Sequence, residues 1–381
     1  MSKEEGLALR KSHLSRSKRV VVKVGSAVLT GDDGLSMSVM KNLAREISFL
    51  IKSGREVILV SSGAVAAGKK RLGLQIGRSL ELKEKQGAAA VGQSSLMRFY
   101  EDIFDRLGYK VAQVLLTHDD LSNRNRYLNV RNTILTLLEW RIIPIINEND
   151  TVSVEELRFG DNDTLGALIT NLIEADLFIC LTDIDGLYTG NPHENPEAHP
   201  VYTVAKVDRK VEAMAGFVVG ALGTGGMQSK IQAAHMVSAR GGSSFIGSGR
   251  EHAIIQKLFA CEPVGTFFLP QAEKMQSRKH WIAYVLRPQG YLVLDNGACK
   301  ALITGGKSLL PSGILEVRGN FKVGAPVQCL NEEGSAIATG LSNYSAIDLN
   351  RIKGLKTTQI EKTLGYKDSD EIIHRDNLVV L

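Results

Sequence analysis

Arg19-Val20-Val21-Val22-Lys23-Val24-Gly25-Ser26, residues 19–26, is the stretch on which the reading of the fold turns. Four valines around a single lysine make a strand-sized apolar run, and β-branched residues suit a pleated, buried strand. The run does not alternate with polar residues, so both faces of the strand are expected to be covered, as in a parallel sheet. Glycine ends it at once. The lysine therefore stands at the mouth of a buried strand, beside backbone that a ligand can approach closely.

The pattern repeats outward from this point. Val39–Ser53 has helical periodicity, and Glu56–Val60 is a second apolar strand stopped by Ser61-Ser62-Gly63. A helix from about Leu80 to Leu107 leads to a strand at Val111–Leu116, and Thr133–Trp140 continues another helix before the strand Ile142–Ile146. Thr164–Glu174 then reads as helix and Leu177–Leu181 as strand. Strands alternating with helices predict a three-layer α/β domain with a parallel sheet, here placed at residues 18–270. Ligands of such sheets bind beyond the carboxyl ends of the strands, where the polar motifs of this chain fall.

After Pro270 the texture changes. Gln271–His280 is polar and charged, and residues 271–286 are expected to be a linker. Leu315–Val317, Pro326–Leu330 and Ala336–Ala338 are short strand-like pieces between Gly and Asn turns, which predict a small, mostly β module over residues 287–371. At the other end, Lys3, Arg10, Lys11, Arg16, Lys18 and Arg19 oppose only Glu4 and Glu5, and residues 1–17 are expected to be a disordered basic tail. The basic residues through Arg19 carry much of the formal charge of +5, so the rest of the chain is close to balanced. The weak basicity gives little support to nucleic-acid binding.

With 44% hydrophobic and 23% charged residues, the 381-residue chain has the composition of a globular protein rather than a disordered one. No apolar run approaches the roughly 20 residues that span a bilayer. The acidic pair and the missing apolar stretch at the N-terminus argue against a secretory signal and a transit peptide. Cys180, Cys261, Cys299 and Cys329 are scattered without metal-ligand spacing, which suits a reducing cytoplasm; Cys180, inside an apolar strand, reads most simply as a small core residue.

Four polar motifs carry chemistry. Val21–Ser26 places Lys23 where an ammonium could neutralise charge developing on a phosphoryl group, although a strand-end lysine is commonly just solvated. Ser61-Ser62-Gly63-Ala64-Val65-Ala66-Ala67-Gly68 is a small-residue turn from a strand into a helix; it reads equally as an anion cradle and as close helix–sheet packing. Asn147-Glu148-Asn149-Asp150 follows a strand directly and could hold an ammonium group and its carboxylate together, and Gly160-Asp161-Asn162-Asp163-Thr164 adds an acidic cluster at a helix start, more than an N-cap needs. Gly223-Thr224-Gly225-Gly226-Met227-Gln228-Ser229-Lys230 enters a helix as a second anion cradle. It lacks the G-x-x-x-x-G-K-[ST] spacing of a P-loop. Gly305-Gly306-Lys307-Ser308 mimics the end of that motif, but Ala301 stands where its first glycine must be.

In this order the motifs resemble the amino-acid kinase superfamily, and within it the branch that phosphorylates free glutamate. VVKVGSAVLT (Val21–Thr30), SSGAVAAG (Ser61–Gly68), NEND (Asn147–Asp150), GDND (Gly160–Asp163), TDIDGLY (Thr182–Tyr188) and GTGGM (Gly223–Met227) carry the likeness, which spans the chain from Lys18 to its end. The resemblance implies that Lys23 and Lys230 stabilise the transferring phosphoryl group from opposite sides and that Asp163 orients them. A side-chain carboxylate is ionised at pH 7, so the acceptor needs no base. It further implies that Ser62, Asp150 and Asn162 hold glutamate, with Asp150 on the α-ammonium. Thr182, Asp183, Thr224, Gly225, Gly226, Met227, Gln228, Ser229 and Lys230, together with Lys23, would contact ATP, whose phosphates magnesium would bridge; the protein ligands of that ion stay open.

The resemblance also implies feedback inhibition by proline at the glutamate site and a homo-oligomer, dimer or tetramer. The helix with Arg124, Arg126, Tyr127 and Arg131 would lie near subunit contacts, while a solvated basic face reads as well for each arginine. A direct hand-over of the labile acyl phosphate to the next enzyme is a further expectation. From Arg287 on, the sequence GGKSLLPSGI (Gly305–Ile314) with Gly319-Asn320-Phe321 resembles a PUA domain, a fold known in RNA-modifying enzymes. Eleven Lys and Arg against ten Asp and Glu from Arg287 to Leu381 favour a structural or regulatory role for it over RNA binding. Two other readings stand beside the first: a relative acting on N-acetylglutamate, aspartate or UMP, and an RNA-binding protein that keeps a kinase-like scaffold.

Overall fold

The valine run at 19–24 forms the central strand of a sheet, and Val20, Val21, Val22 and Val24 are all fully buried. The computed structural model describes residues 2–31, 34–75, 79–152, 161–190, 195–215, 226–271, 275 and 277–381. The chain divides into two units, Met1–Lys274 and Met275–Leu381.

In the first unit, α1 (Lys3–Arg16) precedes β1 (Arg19–Val24). Then follow α2 (Met37–Lys52), β2 (Glu56–Ser61), α3 (Ala64–Arg71), α4 (Leu82–Asp105), β3 (Lys110–Leu116), α5 (Arg124–Glu139) and β4 (Ile142–Glu148). The second half brings α6 (Asn162–Leu172), β5 (Leu177–Thr182), β6 (Thr203–Val204), α7 (Met227–Ala239), β7 (Ser243–Ser248), α8 (Ile254–Phe259) and β8 (Thr266–Phe268). The strands form one sheet in the order β3-β4-β2-β1-β5-β7-β8-β6. Its pairings are parallel except β8 with β7, so the predicted parallel sheet is present over six strands, and β8 and β6, which pair parallel to each other, run the opposite way at one edge.

Helices cover the sheet because their apolar residues recur at helical spacing. On α2, Met40, Leu43, Ala44, Ile47 and Leu50 are buried in the same core as Val20, Val22, Leu59 and Ile179. The helices α3 and α4 touch through glycine. A Cβ on Gly68 would come within 1.8 Å of the Ala88 carbonyl oxygen, and one on Gly92 within 1.8 Å of that of Ala64. The last glycine of the Ser61–Gly68 motif is thus a packing residue. Gly63, at φ +104°, is the one that turns the chain from β2 into α3.

The N-terminal 17 residues are not the disordered tail expected of them. Ser2 and Glu5 cap α1 reciprocally, and Gly6, Arg10 and Leu14, spaced four apart, form its buried face. Arg10 is completely buried.

In the second unit, β9 (Gly290–Leu294), α9 (Asn296–Ile303), β10 (Ile314–Gly319), β11 (Pro326–Leu330), β12 (Ala336–Leu341), α10 (Ala346–Ile352) and β13 (Leu378–Val380) surround a core that includes Leu292, Val327, Cys329, Tyr344 and Leu349. The sheet order is β10-β9-β11-β12-β13. Two expected boundaries shift. Trp281–Val285, placed in the linker, is a single π-helical turn packed against β12, with Ile282 and Val285 buried. β13 lies beyond residue 371 and pairs antiparallel with β12, so the module runs to the last residues. The P-loop mimic at Gly305–Ser308 follows a helix, not a buried strand, and Ser308 Oγ accepts a hydrogen bond from the Arg375 N–H.

Candidate active site

The carboxyl ends of β1, β2, β4 and β5 converge, and the polar motifs sit on them. Lys23 is the penultimate residue of β1, in register with Cys180 of β5 on one side and Val60 of β2 on the other. Its side chain therefore emerges between two fully covered strands and is 5% exposed. Gly166 of α6 lets that helix lie close: a Cβ there would stand 2.6 Å from the Phe178 ring and 3.4 Å from Lys23 Cβ.

Asp163, in the first turn of α6, is 1% exposed and joins two buried lysines. Its Oδ1 lies 2.5 Å from Lys23 Nζ, and its Oδ2 lies 3.1 Å from Lys230 Nζ. Two further donors complete the carboxylate: Ser229 Oγ–H to Oδ2 at 3.0 Å and the Cys180 thiol to Oδ1 at 3.2 Å. Burial alone would push the Asp163 carboxyl up, but Lys23 and Lys230 outweigh it and hold the group well below the usual carboxylate range. Burial would likewise lower the Lys23 ammonium, and Asp163 keeps it above the ordinary lysine value. The Cys180 thiol is pushed up by burial and then by the Asp163 charge, so it stays protonated and donates. One carboxylate and two ammonium groups leave a net positive charge in a nearly dry site.

A second cluster adjoins the first through the peptide Asn162–Asp163. Asn162 Nδ2 donates to Ser62 Oγ at 2.7 Å and to Asn147 Oδ1 at 3.0 Å, tying the ends of β2 and β4 to the start of α6. Asn147 in turn donates to Gln93 of α4, and Ser61 Oγ is hydrogen-bonded to the buried Tyr100 hydroxyl at 2.8 Å. Asp150 is half-buried, two residues past the end of β4. At the end of β5, Thr182 is buried and its hydroxyl donates to the carboxylate of exposed Asp183 at 2.9 Å.

Three groups of expected residues thus come together: Lys23, Asp163, Lys230 and Ser229; Ser62 and Asn162; and Thr182 with Asp183. In the glycine-rich segment Gly226 and Gln228 are exposed, whereas Met227, the first residue of α7, is packed in the core. Thr224 and Gly225 lie outside the described residues. Cys180, Asn147, Gln93 and Tyr100 were missed as parts of the site. Asn147 stood inside a motif already singled out; the others depend on strand register and helix packing, which no local spacing displays.

A resident metal does not fit what is described. Among the described residues no group of three His, Cys, Asp or Glu could hold an ion, and the Asp163 oxygens are already taken by two ammonium groups, a hydroxyl and a thiol.

A parallel sheet with this lysine-bridging carboxylate at its carboxyl edge is the architecture of a phosphoryl-transferring α/β kinase. The chain belongs to the amino acid kinase family, whose model matches residues 18–248, and residues 290–364 match the PUA domain. Carbamate kinase from Giardia lamblia bound to AMP-PNP shares the fold, with a TM-score of 0.50 at 17% identity over 68% of this chain and all of that one. Within the family the chain is one of the glutamate 5-kinases. It is 58% identical to the glutamate 5-kinase of Desulfotalea psychrophila, and 50% identical to that of Syntrophotalea carbinolica, over 98% of this chain and the full length of each relative.

Proposed function

We propose that this chain transfers the γ-phosphoryl group of ATP to the side-chain carboxylate of L-glutamate, giving ADP and L-glutamyl 5-phosphate, the first step of proline synthesis. The observation that carries the reading is the Lys23–Asp163–Lys230 bridge set beside the Ser62–Asn162–Asn147 net. An oxygen of the glutamate carboxylate attacks the γ-phosphorus, and the bond to the β,γ-bridging oxygen breaks as ADP leaves. No proton has to move from the nucleophile, so Asp163 serves to aim the two ammonium groups at the charge spread over the transferring group. Asp150 takes the α-ammonium of glutamate, while Ser62 and Asn162 orient the substrate. Thr182, Asp183 and the segment from Thr224 to Lys230 hold ATP, and magnesium arrives on its phosphates.

Proline is an inhibitor at the glutamate site in this reading. A homo-oligomer, dimer or tetramer, is supported by α5, of which only Ile134 and Leu138 are buried while Leu128 is 39% exposed. Its Arg126 pairs with Asp120 and its Arg131 donates to the Leu172 carbonyl, so these two arginines also have partners within the chain. The acyl phosphate suits direct passage to the next enzyme. The near-balanced charge from Arg287 to Leu381 supports a structural or regulatory role there rather than RNA binding. No described helix is long and apolar enough to cross a membrane, and the four cysteines are free, which supports a reducing cytoplasm as the place of work.

The test is to incubate the protein with ATP, magnesium and L-glutamate, trap acyl phosphate with hydroxylamine, and follow ADP with N-acetylglutamate, aspartate and UMP in parallel. Glutamate-dependent hydroxamate that falls on adding proline is the expected result. ADP release with another acceptor, and none with glutamate, overturns the substrate assignment.

A further inference from the structure

The loop that follows β5, beginning at Thr182 and Asp183, is fastened to the far edge of the sheet. The Leu187 N–H donates to Thr266 Oγ1 at 2.8 Å, and that hydroxyl donates to the Val201 carbonyl at 2.7 Å. The Val201 N–H closes the ring on the Leu187 carbonyl at 2.8 Å. Gly186, at φ +146°, lies so close that a Cβ would meet Thr266 Oγ1 at 2.8 Å. The loop is therefore laid on the first residue of β8 with no slack at that contact.

β8 is a weak support by itself. It has three residues, and its outer neighbour β6 has two. Short edge strands offer few ladder hydrogen bonds to resist displacement.

The missing restraint comes from α1. Arg10 Nη2 donates to the Tyr202 carbonyl at 2.7 Å, which also accepts from the Phe267 N–H at 2.9 Å. Arg10 Nη1 donates to the carbonyls of Glu262 at 3.0 Å and Val264 at 3.1 Å, and the guanidinium stands 5.6 Å from the centre of the Phe267 ring. Lys3 adds a contact over the Tyr202 ring at 4.8 Å. One side chain thus joins the residue before β6 to the residues before β8, two residues from Thr266. Its hydrogen-bond partners are carbonyls, and its Nε has none. Burying a guanidinium on such terms is costly, so plain stabilisation is a poor account of it.

We propose that Arg10 is a positioning residue for the nucleotide: α1 straps the β6–β8 edge, and through Thr266 the strap holds the Thr182–Leu187 loop in its ATP-binding position. The inference rests on the reading of Thr182 and Asp183 as nucleotide contacts. It makes ATP affinity depend on the N-terminal helix, while the glutamate cluster on β2, β4 and α6 is anchored independently of it.

The experiment is steady-state kinetics of full-length Arg10→Met and Arg10→Lys, each checked for a cooperative unfolding transition at the assay temperature. For Arg10→Met the KM for ATP is expected to rise about tenfold, with the KM for glutamate within a factor of about two; displacements on the order of 1 Å produce effects of this size or larger. Arg10→Lys, which keeps a donor but not the fork, falls between the two. An unchanged KM for ATP, or a parallel rise in both constants, overturns the inference. Should Arg10→Met not fold, the same split in Arg10→Lys decides. Asp183→Asn separates the two layers: if it leaves the KM for ATP unchanged, the nucleotide reading of the loop fails. If it raises that constant while the Arg10 variants do not, only the strap fails.

Discussion

The thiol of Cys180 and the ammonium of Lys23 meet at one oxygen of Asp163, at 3.2 Å and 2.5 Å. The two residues face each other in register on adjacent strands, so strand pairing delivers both to the carboxylate at the start of α6. The cysteine is consequently part of the polar cluster and not simply core filling. With Ser229 and Lys230 on the other oxygen, the carboxylate is held from four directions.

Cys180→Val keeps the bulk and removes the donor. Its kcat is expected to fall about tenfold, equivalent to ~1.4 kcal/mol of transition-state stabilisation. Both KM values should change little, because the substrate clusters are untouched. Cys180→Ser restores an O–H donor and should recover most of the rate. Equal losses in the two variants would assign the effect to packing.

Asp163→Asn leaves two buried ammonium groups facing a neutral amide. Breaking a buried ion pair in this way is expected to cost about 3–5 kcal/mol of folding stability, measurable by urea unfolding. Activity should drop by at least about a hundredfold, as when a preorganised electrostatic group is lost. Adding Lys230→Met to Asp163→Asn removes one of the facing charges, so stability should recover in part while activity does not.

The pH dependence follows from the same bridge. Asp163 has its folded pKa depressed below the ordinary 3.8, so its contribution to stability is present above that value and is lost as pH falls below it. Lys23 has its folded pKa raised above 10.5, so its contribution is present below that value and is lost as pH rises past it. Neither group titrates between these limits. Lys23→Met should therefore lower kcat by a constant factor from pH 5 to pH 9, and a factor that varies across that range would contradict the assignment.

Asp150→Asn removes the negative charge expected on the α-ammonium of glutamate. The KM for glutamate should rise at least about tenfold, within the range for losing one member of a hydrogen-bonded charge pair, with the KM for ATP unchanged. An unaltered response to glutamate would take Asp150 out of the substrate site.

Gly68→Ala puts a methyl group where the Ala88 carbonyl oxygen lies 1.8 Å from an ideal Cβ. The two helices must separate, and overpacking of this kind is expected to cost about 1–3 kcal/mol in denaturant unfolding. Gly87, beside Ala88 on the facing helix α4, has open space at its Cβ position, so Gly87→Ala is the control and should be neutral or slightly stabilising.

The α/β architecture was legible in the residue order alone, because uninterrupted apolar runs such as Val57–Val60 and Leu177–Leu181 can be buried on both faces only in a helix-covered sheet. The same residue order marks Lys23, Ser62, Asn162, Asp163 and Lys230 as polar groups at or near strand ends and helix starts. Which of these groups touch follows from the folded chain alone. The Cys180–Asp163 contact depends on the register of β1 against β5, and the Asn162–Ser62 contact joins residues a hundred positions apart. The N-terminal helix was illegible for a different reason. Its buried face is Gly6, Arg10 and Leu14, with one large apolar residue in three turns, so no hydrophobic periodicity marks it. What buries that face is a set of backbone carbonyls at the sheet edge, and carbonyls brought together by folding leave no trace in side-chain pattern.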